Sequence, residues 1–192
     1  MSIMVVTSVL AYLRPSEALG LTSRSLLPPT AHGVKSWVIW LFPSEERQRS
    51  KTGEADDTIP MDGRRARCMA RVYQVLSEKG GSESLFGCTY LDFASALGSA
   101  CRRLNLKVVG YQMRHSGASM DRADGSRGLE AVQKRGRWHA QRSVRRYEKH
   151  GRLIESWRSP GASQQSYFEV CVLLLAVVIV GGVSPPSVPL RW

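Results

Sequence analysis

The chain has 192 residues, is 43% hydrophobic, and carries 27 Lys+Arg against 16 Asp+Glu, a formal charge of +11. That length makes one domain, or one with tails, large enough to bury a core, and the composition excludes both a disordered chain and a multi-span membrane protein. Cys68, Cys88, Cys101 and Cys171 form no CxxC pair and have no histidine at ligand spacing, which argues against a zinc module or a disulfide scaffold. Each reads as a small buried hydrophobe.

Met1–Leu13 lacks the basic start and cleavage site of a secretory signal. Val5, Val9 and Tyr12 or Leu13 fall at helical spacing, which predicts a buried helix leading to Arg14. Pro28-Pro29 marks a loop. VKSWVIWLF, residues 34–42, is rich in Trp and β-branched residues and reads as a strand. Residues 43–57 are polar, with turn formers at Thr52-Gly53 and Asp56-Asp57, and read as a hairpin tip or exposed loop. Thr58–Met61 reads as a short returning edge strand.

From Gly63 the pattern turns helical. Cys68 or Met69, Val72, Tyr73 and Leu76 share one face, and Gly80-Gly81 ends the element. A second helix is predicted over Tyr90–Leu106, with Phe93, Leu97, Ala100, Cys101 and Leu104 on its inner stripe. Arg114–Met120 opens a third, Leu129–Lys134 gives a short fourth, and a last helix runs from about Gln141 to Trp157. The expected class is mainly α (α+β), a helical bundle with a small antiparallel β-hairpin or sheet.

The domain is expected over residues 1–158, with a polar linker over 159–169 and an apolar tail over 170–192. Val170–Val183 carries no charge in 14 residues. As a helix it would reach roughly 21 Å, short of a hydrocarbon core of about 30 Å. It reads as a marginal membrane contact, a buried strand or docking segment, or a non-native tail.

The charge is localised. Residues 101–160 hold 15 Lys+Arg against 5 Asp+Glu, and the rest of the chain 12 against 11. A basic third points to a polyanion, nucleic acid before anionic membrane. Arg102, Arg103, Lys134, Arg135, Arg137, Arg142, Arg145 and Arg146 are its candidate phosphate neutralisers, which would make binding salt-dependent.

Five residues in ordered contexts could act on a phosphodiester. Arg14 lies in LRPSEALGL, Lys51 in RSKTGE, Arg114 in YQMRHSGAS, Trp138 in RGRW, and Tyr147 nine residues later in SVRRYEKH. Two arginines can fork onto one phosphate and stabilise a pentacoordinate transition state. A lysine at a hairpin tip can protonate a leaving oxygen. A tyrosine, with a pKa of about 10, needs neighbouring cations or a base to attack near neutral pH.

These motifs resemble the catalytic domain of the tyrosine recombinases, the phage-integrase-like site-specific DNA recombinases. The resemblance covers about Val5 to Leu153. LRPSEALGL is similar to the first-arginine motif, with Glu17 as its structural glutamate, and RSKTGEADDTIPMD to the β-hairpin lysine motif. YQMRHSGAS is similar to the second-arginine box H-x-L-R-H-S-x-A-[ST], and RGRW with SVRRY to the terminal box. Tyr111 stands where the family has histidine. His115 is a candidate substitute for it, and His139 an alternative to Trp138.

The resemblance implies that Tyr147 attacks a DNA phosphate held by Arg14 and Arg114, with Trp138 packing on it and Tyr111 able to hydrogen-bond it. Lys51 would protonate the leaving 5′-oxygen. The 3′-phosphotyrosyl adduct keeps the bond energy, so no cofactor or metal is expected. Double-stranded DNA would be the partner, a homo-tetramer on two DNA sites the assembly, and nucleus or nucleoid the location. The chain opens close to the first-arginine motif, so a catalytic domain cut short at its N-terminus is expected. A catalytically decayed, DNA-binding remnant of a mobile-element recombinase is the alternative. A basic protein held on membrane through Val170–Val183 is a third reading.

Overall fold

A computed structural model describes residues 1–42 and 57–148, together with 151, 154, 155 and 166. Lys51, Cys171, the 159–169 linker except Ser166, and the apolar tail lie outside the described residues. The first helix, α1 (Ser2–Leu10), runs into the short α2 (Pro15–Leu19). Its buried side chains are Met4, Thr7 and Ser8, while Val5 and Val9 are half-buried. The expected face is therefore rotated. SIMVVTSVL is apolar nearly all round, so periodicity does not single out the inner side. Thr7 and Ser8 are small enough to lie in the close contact, and Thr7 Oγ1 reaches the buried Tyr73 hydroxyl at 3.4 Å.

A three-stranded antiparallel sheet follows in the order β1 (Leu26–Leu27), β2 (Val38–Leu41), β3 (Asp57–Pro60). Ile39 faces Leu26 on one side and Ile59 on the other, which fixes the register on apolar pairs. Pro60, which cannot donate to a ladder, lies on the edge strand β3.

Helices α3 (Arg64–Arg67) and α4 (Ala70–Glu78) come next, and Met69, Val72, Tyr73 and Leu76 are buried on the expected face. Cys68 is exposed, not buried as expected, because the stripe falls on Met69. Helix α5 (Tyr90–Arg103) starts with a capping box between Thr89 and Asp92. Of its predicted stripe only Phe93 is fully buried, and Ala100 is exposed. The helix meets the core near its start, at α2, so its later turns have less to pack against.

Helices α6 (Gln112–Ala123), α7 (Leu129–Arg135) and α8 (Gln141–Val144) complete the described bundle. The long last helix expected from Gln141 is interrupted. After α8 the chain tightens into a 3-10 turn, Arg145–Glu148, which carries Tyr147. One core joins α1, the sheet and α4 through Met4, Leu13, Ile39, Ile59, Met69 and Tyr73. A second, smaller core holds Tyr12, Ala118, Val132, Val144 and Tyr147. No helix among the described residues is long and apolar enough to cross a membrane.

Helix α6 lies on α1 at Gly117, where an added Cβ would stand 1.9 Å from the Val9 carbonyl oxygen and 2.8 Å from the Tyr12 ring. Gly98 on α5 has only the end of the Arg102 side chain nearby, at 3.7 Å. Gly117→Ala should therefore destabilise the chain by about 1–3 kcal/mol through overpacking. Gly98→Ala should stabilise it by about 0.5–1 kcal/mol by removing backbone entropy from the unfolded state. Urea denaturation midpoints read both, and opposite signs are the expected outcome.

Candidate active site

Two helix ends deliver the site. At the end of α1 the Leu13 N–H donates to Ser8 O at 3.0 Å, the Tyr12 N–H donates to Val9 O at 3.5 Å, and Tyr12 has φ 52°. At the end of α7 the Trp138 N–H donates to Gln133 O at 3.1 Å, the Arg137 N–H donates to Lys134 O at 2.9 Å, and Arg137 again has φ 52°. Both are Schellman turns, whose left-handed residue is usually Gly or Asn. The ends of α5 and α6 follow that preference, with Asn105 (φ 48°) and Gly125 (φ 72°). A large side chain in this region costs about 1–2 kcal/mol. The cost falls on the two turns that aim Arg14 and Trp138.

Glu17 collects the charge. Its carboxylate is 3% exposed and accepts from the Arg14 backbone N–H at 2.7 Å, closing the start of α2. Arg14 Nη1 pairs with it at 2.5 Å, Arg137 Nη2 at 2.6 Å and Arg114 Nη1 at 3.5 Å. Arg137 Nε also faces Asp57 at 3.3 Å. Among the described residues, three guanidinium groups thus meet two carboxylates, an excess of one positive charge.

Arg114 has no exposed surface. It donates from Nη1 to Tyr12 O at 2.9 Å and from Nη2 to Gly136 O, and so ties the two Schellman turns together. Its Nε has no hydrogen-bond partner among the described residues. Burial, with Arg137 and Arg14 nearby and Glu17 and Tyr111 opposing them, pulls the guanidinium down to about 10, still protonated at neutral pH. The Trp138 ring lies 4.7 Å from the Arg114 guanidinium carbon. It fits there because residue 136 is glycine, where a Cβ would stand 1.8 Å from the indole.

Tyr147 closes the other side. It is 5% exposed, its ring 5.2 Å from Trp138, and its hydroxyl is hydrogen-bonded to His115 Nδ1. Burial pushes its phenol up to about 12, with Arg146 and Arg114 pulling the other way. The His115 ring is stacked on Trp138 at 6.2 Å and 16°, and the Tyr111 ring meets it edge-on at 4.8 Å. Burial, Arg146 and Arg114 all hold His115 below its usual value, so the imidazole is neutral near pH 7.

Arg114, Trp138 and Tyr147 therefore come together, and Arg14 joins them through Glu17. Tyr111 is 46% exposed at the rim, its ring against His115. His139 is exposed and lines a cleft of about 390 Å³ with Asp57, Glu130, Gln133, Lys134, Arg137 and Trp138. The site is closed, with Arg114 and Tyr147 both buried.

Two candidate phosphate neutralisers are corrected. Arg135 is 9% exposed and spends its donors on Leu10 O (2.7 Å) and Pro60 O (2.7 Å), under the Tyr12 ring. Arg137 is 6% exposed at the side chain and held by Glu17 and Asp57. Charge in a sequence does not report burial, and both arginines are internal ties. Arg102, Arg103, Lys134, Arg142, Arg145 and Arg146 are exposed. Gly136 was missed by sequence reasoning, although a glycine two residues before a tryptophan at a helix end was its available signal.

Removing the Glu17 charge would take away the carboxylate that Arg14, Arg114 and Arg137 share. Glu17→Gln should destabilise the chain by about 3–5 kcal/mol, the usual cost of breaking a buried pair from one side. Chemical denaturation of the two proteins measures this. Comparison with protein-family models, with curated proteins and with solved structures gives no match to this chain.

Proposed function

We propose that this chain is a site-specific DNA recombinase or integrase of the tyrosine-recombinase type, cleaving and rejoining DNA strands. The observation that carries the reading is the meeting of Arg114, Trp138 and Tyr147, with Arg14 attached through Glu17. These residues come from three separated motifs that the sequence relates to one reaction. A net positive site beside a buried phenol suits a phosphodiester and its extra negative charge in the transition state.

In this reading the Tyr147 hydroxyl oxygen bonds to phosphorus while the bond to the 5′-oxygen breaks. Arg14 and Arg114 neutralise the non-bridging oxygens, Trp138 packs against the phosphate, and Lys51, assigned from its motif, protonates the leaving oxygen. A second 5′-hydroxyl then attacks the 3′-phosphotyrosyl bond and restores the tyrosine. The substrate is double-stranded DNA, exchanged between two sites in a tetramer and met in the nucleus or nucleoid. No cofactor is required, because the adduct conserves the bond energy. The full burial of Arg114 favours a second reading, a DNA-binding remnant that no longer cuts.

Adduct capture tests the reading. The chain is expressed in cells, stopped with detergent, and digested with nuclease, and nucleotide bound covalently to protein is measured. Adduct in the parent and none in Tyr147→Phe is expected. No adduct in either, with salt-sensitive duplex binding intact, would select the remnant.

The exposed cations make a separate prediction. Each that touches phosphate contributes about −0.9 to the slope of log affinity against log salt. Arg142→Ala with Arg145→Ala should flatten that slope by about two in a duplex titration. Arg135→Ala should lower the thermal midpoint instead.

A further inference from the structure

We infer that His115 is the base that receives the Tyr147 proton, an assignment that rests on the recombinase reading. The resemblance puts that duty at position 111, where the chain has a phenol, a poor base near neutral pH. The structure offers a different group. His115 Nδ1 is hydrogen-bonded to the Tyr147 hydroxyl, with the two rings 5.8 Å apart.

The imidazole is held on two sides. Trp138 stacks on its face, and Tyr111 meets it edge-on from the preceding turn of α6. One position on the helix thus turns Nδ1 toward the 3-10 turn that carries Tyr147. The titratable and charged groups facing it among the described residues are Tyr111 and Arg114 on its own side, and Arg146 and Tyr147 on the turn. The arginines and burial oppose protonation and keep the ring neutral, and the assignment requires its proton on Nε2, so that Nδ1 accepts from the Tyr147 hydroxyl.

The transfer balances without an external reactant. As the Tyr147 oxygen bonds to phosphorus, its proton passes to His115 Nδ1, and the 5′-oxygen leaves with a proton from Lys51. On rejoining, the imidazolium returns its proton to the departing tyrosine oxygen, and the entering 5′-hydroxyl gives its own to the lysine. A weakly basic imidazole facing a phenol of raised pKa moves the proton only as the new bond forms, which is general-base catalysis.

The test uses the full chain and a duplex bearing the sequence recovered from cellular adducts. Adduct formation in the parent should rise with pH, with an inflection below about 6.5, the ordinary histidine value. His115→Ala should form adduct 10²–10⁴-fold more slowly, in the range of about 10²–10⁴ usual for a general base, lose that inflection, and recover rate with added imidazole. His115→Gln, which can keep the contact but cannot take the proton, should be as slow as the alanine variant. In DNA-free protein, histidine ring ¹⁵N spectra should show the Nε2–H form of His115 and a shift at Nδ1 in Tyr147→Phe.

A His115→Ala rate within threefold of the parent with the inflection retained would overturn the assignment and leave the recombinase reading standing. An Nδ1 signal indifferent to Tyr147→Phe would overturn it as well. Absence of adduct in the parent would instead remove the recombinase reading, and the assignment with it.

Discussion

The pairing of Glu17 with Arg114 is the contact on which the rest of the site depends. A guanidinium with no exposed surface is tolerable only when paired and hydrogen-bonded. Glu17 supplies the opposite charge, and the carbonyls of Tyr12 and Gly136 supply the acceptors. Those two carbonyls belong to the turns that end α1 and α7, so one buried cation fixes both ends relative to α6. Arg14 and Arg137 then pair with the two different oxygens of the same carboxylate. Gly117 lets α6 approach α1, and Gly136 lets Trp138 lie over Arg114.

Around this polar hinge the small core of Tyr12, Ala118, Val132, Val144 and Tyr147 fixes the phenol. Apolar packing gives Tyr147 a defined place, and the same packing makes its ionisation harder. The phenol therefore needs a neighbour that can hold its proton, and the neutral His115 is in contact with it. The Arg114 Nε has no hydrogen-bond partner among the described residues. Tyr12 and Arg137, held in left-handed backbone where α5 and α6 use Asn and Gly, put strain at the two turns that orient this site.

Much of the fold was legible in the sequence, for identifiable reasons. The β-branched and aromatic run around Ile39 and the returning Thr58–Met61 segment predicted paired strands, and Met69, Val72, Tyr73 and Leu76 predicted the inner face of α4. Strand β1 was not legible, because two leucines carry no alternation. The inner face of α1 was not legible, because apolar residues surround that helix. The break after Val144 was hidden because RRYEKH keeps good helix formers, and tertiary packing of Tyr147 overrides propensity. Motif order named Arg14, Arg114, Trp138 and Tyr147 as one group. It did not show that Arg135 and Arg137 point inward, nor that His115 would touch Tyr147, since both depend on which way helices turn when packed.

The most direct test of the Glu17 arrangement is the ¹⁵N spectrum of the arginine Nη–H groups in the DNA-free chain, recorded for the parent and for Glu17→Ala. Buried, ion-paired guanidinium groups exchange their protons slowly with water. If one carboxylate holds Arg14, Arg114 and Arg137, signals from all three should be protected in the parent and should change together in the variant. Loss of a single signal, or spectra that coincide, would contradict the account.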